Sequence, residues 1–362
     1  MNYQAYLAHF PKIGSARFKK LKAYFFDLKN LHQADLDDLL KSGLEENIAA
    51  EFISWRQNNP IEKILERLEK EEIYTISLDD PTYPYLLSQI TDPPHTLFVR
   101  GQLPQSQRPT LAVVGTRRFT TYGKLICEEL VLPLATNGLV IISGLALGID
   151  GIAHQATIEA NGVTVAVLGS GVNQKSIFPA AHKLLAQKII DSGGAIISEY
   201  PPDFAPTKYS FPARNRLIAG LSLGTLIIEA PAKSGALITA RYALDYNREV
   251  MCVPHALTSP TGAGPNTLIQ SGAKLITGYQ NIMEALNLKI SSPPPPLAIT
   301  IDTSTPEGKI LNHLNREPKN INELIIQTGL NSSQIGSTLT MLEIKGLVKN
   351  LGGMNYIKNI PE

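Results

Sequence analysis

Over about the first 70 residues the apolar positions recur at helical spacing, as in Phe18, Leu21 and Phe25 and again in Ile61, Ile64, Leu65 and Leu68. That spacing predicts a small helical unit. After residue 73 the pattern changes to short β-branched runs that alternate with helical stretches such as 152–160 and 181–190. Seven strands are expected, at 111–114, 139–142, 163–168, 195–197, 225–228, 250–253 and 274–276. Strands separated by helical segments demand a parallel sheet with crossover helices, so the core is expected to be a doubly wound, Rossmann-like α/β domain. Two further runs, 73–78 and 95–100, read as an extension of the same sheet. Residues 291–296, Ser-Ser-Pro-Pro-Pro-Pro, cannot continue a helix and favour an extended linker. Beyond it, helices at 308–314, 321–328 and 332–344 are followed by a hairpin around Gly352-Gly353, a winged-helix pattern. The expected division is therefore 1–72, 73–287, a linker at 288–304, and 305–362.

Composition narrows the function. The 33 basic and 32 acidic side chains nearly cancel, so global charge cannot draw the chain onto nucleic acid, and a phosphate site must be a local concentration of basic groups. Cys127 and Cys252 are too few for a disulfide framework or a four-ligand zinc site. The chain opens with neither a basic n-region nor an apolar h-region, and no apolar stretch is long enough to span a bilayer. A soluble protein of the reducing cytoplasm, away from membranes, is expected.

Three glycine-bearing segments each follow a predicted strand: Gly115-Thr116-Arg117-Arg118, Ser143-Gly144-Leu-Ala-Leu-Gly-Ile-Asp-Gly151, and Gly169-Ser-Gly171. In an open parallel sheet ligands bind beyond the carboxyl ends of the strands, so the three loops are expected to share one pocket. Glycines let backbone amides approach an anion, and Arg117 supplies a planar fork suited to phosphate. A second cluster, Lys208-Tyr-Ser-Phe-Pro-Ala-Arg214-Asn215-Arg216, interleaves cations with Tyr200, Phe204, Tyr209 and Phe211, a combination that can hold a backbone and stack bases. Cations at a helix amino terminus oppose its dipole unless an anion is present. In the block 224–240, Ser234 and Gly235 precede a helix, as donors to a second phosphate or as a helix cap. The turn Phe10-Pro-Lys-Ile-Gly-Ser has the form of a helix-hairpin-helix turn, used either for packing or for a DNA phosphate.

Enzyme chemistry fits poorly. Gly169-Ser-Gly-Val-Asn-Gln-Lys175-Ser176 nears the Walker A pattern, but Gln174 stands where glycine is needed and Pro179 follows too soon for the required helix. No loop completes Gly-x-Gly-x-x-Gly, so no dinucleotide is implied. The histidines form no metal-ligand pair and no serine sits in a nucleophile elbow, so neither metal nor cofactor is expected. The competing reading is a nucleotide phosphoribohydrolase built on a related Rossmann core. There Gly224-Thr225 and Glu229 would supply the catalytic block, although the spacing is one residue too long and the double glycine is absent. His154 reads as a helix residue satisfied in the core.

The blocks Val114-Gly-Thr-Arg117, Ser143-Gly-Leu-Ala-Leu-Gly-Ile-Asp-Gly-Ile-Ala-His154, Phe211-Pro-Ala-Arg-Asn-Arg-Leu-Ile-Ala-Gly-Leu-Ser222 and Ser234-Gly-Ala-Leu-Ile-Thr-Ala240 stand in a shared order along the chain. With them the sequence resembles the DNA-processing protein A family, DprA or Smf. The resemblance implies a sterile-alpha-motif-like amino-terminal domain, a Rossmann core and a winged-helix tail. It implies a non-catalytic protein that binds incoming single-stranded DNA in natural transformation, dimerises through the Rossmann domain and helps load the RecA recombinase. Arg117 corresponds to the arginine of the family's Gly-Ser/Thr-Arg pocket, and Arg214 and Arg216 to its Phe-Pro-x-Arg-Asn-Arg block. One departure lies after Pro254, where His255 replaces the usual glycine.

The expected phosphate and DNA set is Gly115, Thr116, Arg117, Ser143, Gly144, Lys208, Arg214, Asn215, Arg216, Ser234 and Gly235. The tail lies outside it. Between 305 and 362 six Lys and Arg face five Glu, and 332–344, in the place of a recognition helix, holds neither Lys nor Arg. DNA-reading helices need such contacts, so a protein-contacting role is expected for the tail.

Overall fold

A computed structural model describes residues 2–105, 107–289, 305–315 and 317–358. The chain divides into two compact units, Met1–Ile290 and Ser291–Glu362. Most of the expected linker at 288–304 lies outside the described residues.

The first unit is organised by one nine-stranded sheet: β1 (Ile73–Ser77), β2 (Thr96–Gly101), β3 (Thr110–Val114), β4 (Val140–Ser143), β5 (Thr164–Val167), β6 (Ala195–Ser198), β7 (Gly224–Ile227), β8 (Glu249–Cys252) and β9 (Lys274–Leu275). The spatial order is β1-β2-β6-β5-β4-β3-β7-β8-β9. From β6 to β9 neighbours are parallel, and β2 is antiparallel to both β6 and β1. The seven expected strands form the parallel part and the two extra runs extend it, as predicted. The parallel strands β3 to β7 are buried on both faces, which explains why these runs are continuously apolar and do not alternate, whereas the edge strand β9 is exposed. On one face Val114, Ile142, Val167 and Ile227 pack with Leu217 and Ile218 of the helix Ser210–Gly220 and with Ala236 and Ala240 of the helix Gly235–Asp245. On the other, Leu111, Val113, Ile141 and Leu226 pack with the helices Thr121–Thr136 and Ile149–Glu159. The chain moves outward from β3 through β4, β5 and β6, then returns to the far side of β3 as β7. This reversal opens a crevice between the carboxyl ends of β3 and β7.

The six amino-terminal helices, Tyr3–Leu7, Ser15–Tyr24, Leu28–Gln33, Leu36–Lys41, Glu46–Asn58 and Ile61–Lys70, close around Tyr6, Phe10, Phe18, Leu21 and Phe52. They belong to the same compact unit as the sheet. Ala5, Ala8 and Leu68 share a core with Phe98 of β2 and Ala166 of β5. His95 stacks on Phe18 at 4.2 Å and shares a hydrogen bond with the Ile13 carbonyl. Burial pushes the His95 imidazole down to about 4, so this joint is neutral at ordinary pH. The helix-hairpin-helix-like turn is engaged in packing: Ile13 is buried, Lys12 pairs with Glu51, and Arg17 pairs with Glu45 at 3.0 Å.

The second unit holds the helices Pro306–His313, Ile321–Thr328 and Ser332–Ile344 with three short strands, β10 (Lys319–Asn320), β11 (Val348–Gly352) and β12 (Asn355–Lys358). Its core is Ile310, Leu311, Leu324, Ile335, Leu339 and Leu342, the winged-helix arrangement predicted. No helix among the described residues is long and apolar enough to cross a membrane.

Candidate nucleic-acid interface

The crevice at the strand reversal widens into a cleft of about 810 Å³. Its β3 wall is the segment 115–118, which the backbone holds firmly: the Thr116 amide donates to the Glu229 carbonyl at 2.7 Å, and the Thr116 carbonyl accepts from the Ile149 amide at 3.2 Å. The Thr116 hydroxyl accepts from the Arg118 amide at 3.1 Å and closes the turn. Arg117 and Arg118 project outward, exposed, and neither has a carboxylate partner among the described residues. The Arg117 guanidinium lies 5.9 Å from the Phe211 ring centroid, a cation–π geometry that leaves its N–H fork free. Gly148 sets the seat of this loop. It has φ +87°, and a Cβ there would come within 2.7 Å of the Arg117 Cα.

The opposite wall comes from the loop after β7 and the helix Gly235–Asp245, with Lys233, Ser234 and Gly235 at its rim. Ser234 is the helix cap, accepting from the Ala236 amide at 3.3 Å, and Asn215 donates to the Gly235 carbonyl at 3.2 Å. Lys208 is exposed at the mouth, 4.9 Å from the Tyr209 ring centroid. A smaller recess of about 80 Å³ adjoins the cleft, where Phe178, Pro179, Phe211 and Leu147 meet Arg117, Gly144 and Arg214. The Phe178 and Phe211 rings are 5.5 Å apart and tilted by 45°.

Of the expected residues, Gly115, Thr116, Arg117, Lys208, Arg214, Asn215, Ser234 and Gly235 line the cleft and Gly144 lines the recess. Two do not. Ser143 is fully buried and its hydroxyl donates to the Val113 carbonyl at 2.6 Å, tying β4 to β3. Arg216 is buried between Glu199, which it pairs with, and Asp92 at 3.2 Å, and it also donates to the Asp92 carbonyl at 2.8 Å. Its fork is saturated by protein. Arg214 reaches the cleft but is also engaged: it donates to the carbonyls of Gly144 at 2.7 Å and of Val167, and to Asn215 Oδ1 at 3.1 Å. Burial lowers it to about 10, against the pull of the Asp150 carboxylate. Asp150, also buried, accepts from the amides of Gly144 at 3.1 Å and Ala146 at 3.4 Å. Burial pushes its carboxyl up, and Arg214 and these amides oppose that. Gly144 is required at this floor, because a Cβ would lie 2.7 Å from both Arg214 Nη2 and Asp150 Oδ2.

The third glycine loop is likewise elsewhere. Ser170 is buried and the Gly171 amide donates to the Phe204 carbonyl at 2.9 Å, while Gly169 packs behind Phe211, so the segment supports the cleft from beneath and does not line it. Tyr200 and Phe204 stack on one another at 4.3 Å rather than facing the cleft. The residues the sequence reading passed over are Arg118, Lys233, Asp150 and Phe178. Arg118 directly follows Arg117 and Lys233 directly precedes Ser234, so both could have been found from adjacency. Phe178 is 45% exposed beside a glycine loop, a signal for a working aromatic.

The groups considered for catalysis are sealed. Glu229 is buried, and its oxygens accept from the Thr120 amide and hydroxyl at 2.9 and 2.6 Å and from the Thr261 hydroxyl at 3.0 Å. His154 bonds the Thr164 hydroxyl at 2.7 Å, and burial pushes it down to about 3. The loop opened by His255 is pinned by a 2.7 Å bond from its Nε2–H to the Ile228 carbonyl. Among the described residues no group of three His, Cys, Asp or Glu side chains could hold a metal ion.

Comparison with known proteins agrees with this architecture. Residues 74–287 match the family model described as DNA recombination-mediator protein A, and 292–354 match the DprA winged-helix domain. Protein Smf of Escherichia coli K12 is 38% identical over 330 residues, covering 88% of this chain and 86% of that one. The DNA processing protein DprA of Bacillus subtilis is 40% identical over 225 residues, 62% of this chain and 75% of that one. The crystal structure of DprA from Streptococcus pneumoniae superposes with a TM-score of 0.66 at 35% identity, covering 78% of this chain and 97% of that chain. DNA processing protein A of Helicobacter pylori, described as having a unique single-stranded DNA binding mode, does so with a TM-score of 0.52 at 33% identity, over 60% of this chain and 96% of that one. On the sheet order, the match across its core and tail, and the full-length relatives, this chain belongs to the DNA-processing protein A family, DprA or Smf.

Proposed function

We propose that the chain binds single-stranded DNA in the β3/β7 cleft without sequence readout and without cleaving it. The observation that carries this reading is Arg117: exposed, without a salt bridge among the described residues, and seated on Phe211 beside Phe178. Arg118, Lys208 and Lys233 surround the same cleft, and its one lining carboxylate, Asp150, is buried under Arg214. Phosphates would meet the guanidinium of Arg117, the two lysines and the amides at Gly235, and a base would rest against Phe178 and Phe211. Stacking plus backbone charge is the chemistry of sequence-tolerant strand binding. The single-stranded DNA named for the Helicobacter pylori relative supports the same ligand. Arg214 shapes the floor, while Ser143 and Arg216 hold the scaffold.

Fluorescence anisotropy with a labelled oligodeoxythymidylate tests this: Arg117→Ala, folded, is expected to lose most of its affinity, and unchanged affinity overturns the assignment. The phosphoribohydrolase alternative predicts release of free base from a nucleoside monophosphate, abolished in Glu229→Gln. The enclosure of Glu229 by Thr120 and Thr261 argues against it.

The family resemblance extends the proposal. The protein would act in the cytoplasm on DNA taken up during natural transformation, protect it, and help load RecA as a homodimer formed through the Rossmann domain. The tail would contact protein, since Ile326, Met341 and Ile344 are exposed on its surface. Light-scattering mass of the purified chain checks the dimer, and RecA filament formation on coated strands checks the loading.

A further inference from the structure

The amino-terminal helices carry a second surface with strand-binding chemistry. The helix Ser15–Tyr24 turns Phe18 and Leu21, with Phe25 just beyond its end, into the helical core. Its outward side presents Lys19 and Lys20, then Tyr24, 44% exposed, and Phe26, 99% exposed. Neighbouring cations are paired, Lys12 with Glu51, Arg17 with Glu45 and Lys22 with Asp79, whereas Lys19 and Lys20 have no ion pair among the described residues. The nearby Asp27 is occupied as a helix cap, accepting from the Lys29 amide at 2.8 Å.

Sheet register fixes where this surface lies. Ser77 pairs with Thr96, and Phe98 pairs with Ser198 at the carboxyl end of β6. The residues flanking these pairs, Asp79 and His95, therefore lie along the edge of the sheet at which the cleft opens. The helix is bound to both, through Lys22 to Asp79 and Phe18 to His95. β2 and β3 are separated by β6, β5 and β4, so the helix anchor is about 20 Å from the cleft wall at a strand spacing of about 4.8 Å. A stacked strand advancing about 3.4 Å per nucleotide covers that distance in about six nucleotides.

We propose that Lys19, Lys20, Tyr24 and Phe26 form a second contact for single-stranded DNA, engaging the strand as it leaves the cleft. This rests on the reading of the cleft as the primary DNA site. Two exposed ammonium groups, Lys20 sharing the field of Glu45 with Arg17, and one fully exposed ring on the same stretch of chain suit a polyanion with stackable bases. A lipid surface fits less well, because interfacial helices turn a broad apolar stripe outward and this helix turns its own inward.

The test uses the full chain and labelled oligodeoxythymidylates of about four and about twenty nucleotides, one too short to span from the cleft to the helix and one able to reach it. In the triple variant Lys19→Ala, Lys20→Ala, Phe26→Ala, affinity for the long strand is expected to fall about tenfold, with the short strand within about twofold. The salt slope for the long strand should shrink by about 1.4, or about 0.7 for each lysine. Phe26→Trp should retain long-strand affinity. Equal binding of the long strand by parent and triple variant overturns the proposal. So does unchanged strand binding with a loss of binding to phosphatidylglycerol vesicles, which would assign the surface to lipid. Arg117→Ala separates the two readings: it should weaken both oligonucleotides, and failure of the parent to bind either overturns the cleft and the helix together.

Discussion

The segment 115–118 and the helix Ser210–Gly220 each carry two arginines, and the structure uses them in opposite ways. Arg117 and Arg118 stand in solvent with no salt bridge among the described residues. Arg214 and Arg216 are buried, one over Asp150 and two carbonyls, the other between Glu199 and Asp92. An arginine taken out of water must be paired and hydrogen-bonded or the structure fails, and one so paired has little left to offer a ligand. Two motif blocks that look alike as strings of cations thus divide into an exposed pair with open donors and a buried, paired scaffold.

The sharpest way to break this contrast is Arg214→Ala. It strands Asp150 beneath the cleft and should lower unfolding free energy by about 3–5 kcal/mol in urea titration, because removing one partner leaves a buried charge. A stability change under about 0.5 kcal/mol would mean that Arg214 is as free as Arg117. Arg216→Met should cost about 3 kcal/mol for the same reason, and adding Glu199→Leu should recover most of it. Failure of the double variant to recover would show that Arg216 acts through something other than its ion pair. Arg117→Ala is the mirror case. Its urea midpoint should stay put while strand affinity falls by about 2 kcal/mol, roughly thirtyfold, the worth of hydrogen bonds to a charged group. The smallest effect is expected at the rim, where Lys233→Ala should weaken binding only about threefold and reduce the salt slope for a single strand by about 0.7.

Much of the fold could be read from the chain. Parallel strands buried on both faces leave continuous apolar runs, so those ending at Val114, Ser143 and Ile227 stood out, and the tail helices announced themselves through sets at helical spacing such as Ile335, Leu339 and Leu342. The helical unit was legible as helices but not as part of the sheet's own unit. Its joint is made by Ala5 and Ala8, small residues that leave no pattern, and by His95, far along the chain. At the site, Arg117 was legible because a glycine-bearing loop after a strand of a doubly wound sheet lies on the ligand-binding edge. The division between Arg117 and Arg216 was not, since burial of Arg216 depends on Asp92 and Glu199, which no local spacing links to it. The Gly169-Ser-Gly171 loop misled for a related reason: Gly171 allows close packing against residues 201 and 202 and Gly169 against Ser210 and Phe211, a need that looks the same in sequence as an anion's.

Gly148 gives the site one further property. Its missing side chain makes room for the Arg117 backbone, and the amide that follows it holds the Thr116 carbonyl. The arginine's address is thus written in two separate stretches of chain. Moving Val114-Gly-Thr-Arg117 alone into another Rossmann scaffold would carry the guanidinium without its aim, while Gly148→Ala would misdirect it without altering any side chain that lines the cleft. The two stretches should therefore be inherited, swapped or redesigned only as a pair.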